Sequence, residues 1–103
     1  SLNVPRAESE AAAARFALSQ ELSEAWRDWT LNRAESTALR DELVPASESA
    51  FRLAREGHQL GRFTYLDVLD AERTWFENRM RLIETLKACH DAAAAIDELA
   101  SEE

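Results

Sequence analysis

At 103 residues the chain has the size of one small domain, and although 46% of its residues are hydrophobic, 19 of them are alanine, which argues against a thick globular core. A net charge of −8 argues against the clustered Lys and Arg of a nucleic-acid interface and does not suit an anionic membrane surface. No run of about 18 apolar residues is present to span a membrane as a helix, and one cysteine, Cys89, leaves no internal disulfide to form.

In chain order, Ser1-Leu2 reads as a cloning remnant, and no secretory leader opens the chain; an exported parent would carry one outside it. The first helix is predicted from about residue 6 to 56, with Pro5 in a tolerated first-turn position and Glu8 and Glu10 complementing the dipole. A heptad series runs along it: Leu18, Leu22, Ala25, Trp29, Asn32, Ser36, Leu39, Leu43, Ala46, Ala50, Leu53, Gly57, Leu60. This is a coiled-coil seam with a polar middle, and about 50 residues at 1.5 Å each make roughly 75 Å of rod. Pro45 has no N–H to donate and its ring displaces the carbonyl of Asp41, so a bend around residues 41–45 is expected rather than a break.

Both glycines fall in Glu56-Gly57-His58-Gln59-Leu60-Gly61-Arg62-Phe63-Thr64. Glycine ends helices and enters left-handed backbone cheaply, so the chain is expected to reverse at a tip spanning 57–64. Gly61 is expected to take positive φ and to reject bulky replacements, whereas Gly57, as a seam position, is expected to accept alanine. Thr64 supplies an N-cap hydroxyl for a second helix over about 65–100, and Asp67 falls in that helix's first turn. The second helix carries two stripes of period seven: Val68, Trp75, Leu82, Cys89, Ile96, and beside it Leu69, Phe76, Ile83, His90. A two-helix hairpin needs one narrow seam per helix, whereas two stripes make a face broad enough for two neighbours. The fold class expected is all-α: a long antiparallel helical hairpin over 1–103, as a coiled coil that either dimerises into a four-helix bundle or belongs in the wall of an α-barrel.

The tip and the opening turns of the second helix, Gly57-His58-Gln59-Leu60-Gly61-Arg62-Phe63-Thr64-Tyr65-Leu66-Asp67-Val68-Leu69-Asp70-Ala71-Glu72-Arg73-Thr74, resemble the signature of the TolC-like outer-membrane efflux protein family. Gly61, Thr64, Leu66, Asp67, Leu69, Asp70, Ala71, Arg73 and Thr74 fall in register with it. The approach from Leu43 to Gly57 is similar to the branch serving cobalt–zinc–cadmium efflux. One departure is His58, where the family usually has Tyr. The resemblance covers nearly the whole chain but neither the membrane β-strands nor the first helical hairpin, so it implies a fragment: the second periplasmic hairpin of a Gram-negative outer-membrane channel. It further implies a homotrimeric parent, a periplasmic adaptor protein docked at the tip, and an inner-membrane pump served indirectly.

On that resemblance, Asp67 and Asp70 would ring the constriction of a trimer and attract cations; for an arbitrary helix the same pair reads as dipole complementation and capping. His58, Leu60, Gly61, Arg62, Phe63 and Thr64 would form the docking tip, while Phe63 could instead fold back onto Leu60 as a local plug. Arg55, Arg62 and Arg73 are candidates for ion pairs of a closed state. Cys89-His90-Asp91 invites a metal reading, but neighbours on a helix point about 100° apart, and both Cys89 and His90 fall on apolar stripes, so packing is expected and no metal or cofactor. Trp26, Trp29 and Trp75 read as packing residues. With no nucleophile–base pair or phosphate loop, the sequence does not read as an enzyme; beside the conduit reading stands a general coiled-coil interaction module.

Overall fold

In the computed structural model, residues 3–102 are described; Ser1 and Leu2, on which the cloning-remnant reading falls, lie outside that range, as does Glu103. Helix α1 spans Asn3–Ala38 and passes through a five-residue π-turn, Leu39–Leu43, into α2, Val44–Gln59. After the tip, α3 runs back over Tyr65–Ser101. The described residues contain no strand. The result is an all-α antiparallel hairpin, a rod of 86 × 19 × 13 Å.

α3 packs on the first arm through an unbroken coiled-coil seam. Val68, Ala71, Trp75, Asn78, Leu82, Thr85, Cys89, Ala92, Ile96 and Leu99 are all buried or half-buried and step alternately by three and four. From the facing arm, Leu18, Leu22, Ala25, Trp29, Asn32, Ser36 and Leu39 fill it as the heptads require. The middle of the seam is polar and nearly sealed: Ser36 is 6% exposed and Thr85 2%. Each hydroxyl donates back into its own helix, Ser36 to the Arg33 carbonyl and Thr85 to the Leu82 carbonyl, both at 3.0 Å, so neither is orphaned. Between the arms, Arg81 grips Glu35 with two bonds of 2.7 and 3.0 Å. That carboxylate raises the guanidinium above its ordinary pKa, first through the hydrogen bond and then through charge.

Below Leu39 the expected register fails at every position except Gly57, which is buried as the series requires. Leu43, Leu53 and Leu60 are 49%, 62% and 69% exposed, and Ala46 and Ala50 also face out. The seam is instead made by Val44, Ser47, Phe51 and Ala54, displaced by one residue. The cause is the π-turn. The Val44 N–H donates to the Leu39 carbonyl, five residues back, so the turn holds one residue more than an α-turn. Pro45 follows in the first turn of α2, where its missing N–H is tolerated. The helix does not break there; it widens and turns the lower arm onto its neighbouring face. Arg40 pairs with Asp41 inside the turn at 2.9 and 3.3 Å, and that bond holds the Asp41 carboxyl below its usual range.

Candidate functional site

The tip is a Schellman turn. Gly61, at φ +73°, takes the left-handed position. Its N–H donates to the His58 carbonyl at 3.0 Å, and the Arg62 N–H donates to the Gly57 carbonyl at 2.7 Å, the paired bonds that close such an ending. The Gly57 carbonyl also accepts from the Phe63 N–H at 3.3 Å. A Cβ on Gly61 would meet nothing within 4 Å, so only its backbone conformation demands glycine.

Gly57 is buried, as its seam position requires, but it is not the forgiving position expected: the Phe63 ring lies directly against it. A Cβ at Gly57 would stand 2.5 Å from Phe63 Cε2 and closer still to Cδ2. Alanine is therefore not the mild replacement that a seam position suggests. Phe63 does fold back, but onto Gly57 rather than Leu60. It remains 48% exposed, and Leu60 stands out beside it.

His58 Nδ1 lies 3.0 Å from the Phe63 carbonyl, which can only accept, so the ring carries a proton on Nδ1 and ties the end of the turn to its beginning. Its ring also tilts against Tyr65, with centroids 5.9 Å apart. Thr64 and Asp67 then form a reciprocal capping box. The Asp67 N–H donates to Thr64 Oγ1 at 3.2 Å, and the Thr64 N–H donates to Asp67 Oδ2 at 2.8 Å. Asp67 thus has a structural task, whereas the exposed Asp70 carboxylate forms no ion pair among the described residues. The two carboxylates lie three residues apart at the start of α3, next to the turn.

Arg55, Arg62 and Arg73 form no ion pair within the described hairpin. Arg55 instead lies 5.6 Å over the Phe51 ring. Phe51 stacks on Trp75 at 5.5 Å and 22°, and Arg79 covers the other ring at 5.0 Å. This Arg–Phe–Trp–Arg stack borders a groove between the arms, with Leu69, Phe76 and Arg73 along it. The heptads, read without an inserted residue, put Ala50 rather than Phe51 on the seam, and the stack is hidden until the slip is known. Cys89 is half-buried, with Sγ 4.0 Å from the Trp29 carbonyl, while His90 is exposed. No cluster fit for a metal occurs among the described residues. Leu69, Phe76 and Ile83, the second stripe of α3, are 39%, 59% and 60% exposed and meet nothing in the hairpin that covers them.

The profile of the outer membrane efflux protein family matches residues 3–102. Over 94 residues the chain is 37% identical to the cobalt-zinc-cadmium resistance protein CzcC of Cupriavidus metallidurans; the match covers 91% of this chain and 22% of that protein. The chain therefore spans about a fifth of the length of this relative. No solved structure matches it significantly. With a helical hairpin, a glycine-closed tip and a family profile that matches residues 3–102, the chain belongs to the outer membrane efflux protein family.

Proposed function

We propose that this hairpin is a length of periplasmic wall in the α-helical conduit of a Gram-negative outer-membrane channel that passes heavy-metal cations. The observation that carries the proposal is the pair of uncovered apolar faces: Leu69, Phe76 and Ile83 on α3, and Leu43 and Leu53 on the lower part of the first arm. A rod one helix thick with apolar stripes on both arms requires neighbours on both sides, and a closed ring of helices supplies them. The cation class is suggested by the name of the similar resistance protein. The work is passive conduction, with no catalytic step.

In this reading the tip does two jobs. His58, Leu60, Gly61, Arg62, Phe63 and Thr64 present a rigid, partly apolar knuckle to the periplasmic adaptor. Asp67 and Asp70, repeated around a homotrimer, form a ring of carboxylates at the narrow end that concentrates cations and repels anions. The capping box dictates how this is tested, because Asp67→Ala would damage the turn as well as the charge. In the full-length parent, Asp67→Asn with Asp70→Asn keeps an acceptor for the cap and removes both charges. Cation selectivity and block by divalent cations in planar bilayers are expected to fall; unchanged values in the double variant reject the carboxylate ring. For docking, Leu60→Ser is expected to reduce crosslinking to the adaptor and metal resistance without loss of trimer, and full crosslinking would reject the tip as the contact.

A further inference from the structure

The π-turn leaves two apolar faces of one helix competing for a single groove. Val44, Ser47, Phe51 and Ala54 are seated against α3; Leu43, Ala46, Ala50 and Leu53, one residue away, are left outside. The outer set is the more uniformly apolar of the two, and it continues the heptads of Leu18 through Leu39 without a slip. α3 presents an uninterrupted three–four seam and has no matching insertion, so its spacing accommodates either face. What selects the observed face is local. Continuing the α-helix through Pro45 would drive its ring into the Asp41 carbonyl, and the wide Leu39–Leu43 turn avoids that collision. The chosen face is then held by the Phe51–Trp75 stack and by the Leu43 carbonyl, which accepts from Ser47 Oγ at 2.8 Å and from Asn78 Nδ2 across the hairpin at 3.4 Å.

We propose that the lower arm, residues 44–56, has two registers on α3, with the π-turn as the switch between them and Pro45 as its pin. Moving the extra residue from Leu39–Leu43 toward the tip turns the intervening helix by about 100°, the angle of one residue. Leu43, Ala46, Ala50 and Leu53 then enter the groove, and Phe51 leaves Trp75 and faces outward. The hairpin stays paired and the Schellman turn stays closed, but the face that α2 offers to a neighbour is exchanged. The proposal concerns the hairpin alone and does not depend on the channel reading.

The test is disulfide trapping in the chain with Cys89→Ala. Ala54→Cys with Ala71→Cys reports the observed register; Leu53→Cys with Ala71→Cys reports the other. With Pro45 in place the first pair is expected to close and the second to close poorly. Pro45→Ala removes the pin and is expected to raise the yield of the second pair about tenfold. Deleting Arg40 in the same Pro45→Ala background removes the extra residue, fixing the observed face on a plain α-helix, and is expected to abolish that rise while the first pair still closes. An unchanged yield for the second pair in Pro45→Ala overturns the proposal. So does an equal rise in the deletion variant, which would signal general fraying, and so does a loss of helical circular dichroism in Pro45→Ala.

Discussion

The packing of Phe63 on Gly57 makes the tip a single unit in which each residue constrains the next. Gly57→Ala puts a methyl into the ring, and overpacking of this kind costs about 1–3 kcal/mol. The expected sign of its origin is rescue: Phe63→Ala in the Gly57→Ala background should restore most of the lost thermal stability, as read by a double-mutant cycle. Gly61→Ala should cost about 1–2 kcal/mol for its left-handed backbone, and no side-chain deletion nearby should rescue it, because no side chain is in the way. Thr64→Ala should cost about 0.5–2 kcal/mol by opening the capping box, measurable as a lowered melting midpoint. The glycine pair, the threonine cap and the place of reversal are legible in the sequence because each is a local rule of backbone geometry. The separate burdens of the two glycines are not, since Gly57 looks like any seam position until the path of Phe63 is known.

Among the elements, α3 and the upper arm follow their heptads, and the lower arm does not. An unbroken heptad series from Leu18 to Leu60 predicts one register, and nothing in the series itself marks the inserted residue. The only visible signal is Pro45, from which a bend is expected rather than a break; that its clash is relieved by a wider turn, which shifts the register of everything below it, is not written in the heptads. The second stripe of α3 is readable as a face for another helix for the opposite reason: it breaks no rule of the first seam and simply adds to it. The buried hydroxyls of Ser36 and Thr85 belong to this scale as well. Both are satisfied within their own helices, so removing them orphans no partner. Ser36→Ala with Thr85→Val should therefore leave the hairpin as stable or raise its stability by up to about 1 kcal/mol, as measured by chemical denaturation. A marked loss would show that the hydroxyls reach across the seam.

As a whole the molecule is long, thin and poorly supplied with core, its buried hydrophobic residues being small or isolated: Ala25, Leu39, Ala54, Val68 and Ala92. Such a rod is expected to lean on association, so its helical ellipticity should fall on dilution, with the transition tracked by sedimentation equilibrium. Support is also uneven along its length. Residues 3–17 of α1, all exposed, extend beyond the part that α3 covers, and their amides should exchange with solvent well before those around Leu39 and Thr85. The 13 Å thickness has an electrical consequence. A partition built from such rods is a single helix deep, yet still thicker than a Debye length of about 8 Å at physiological salt. Exposed charge on its outer side is then largely screened from its inner side. In a conduit wall, the potential on the inner side would then be set by the carboxylates that face it, not by the net −8 of each hairpin as a whole.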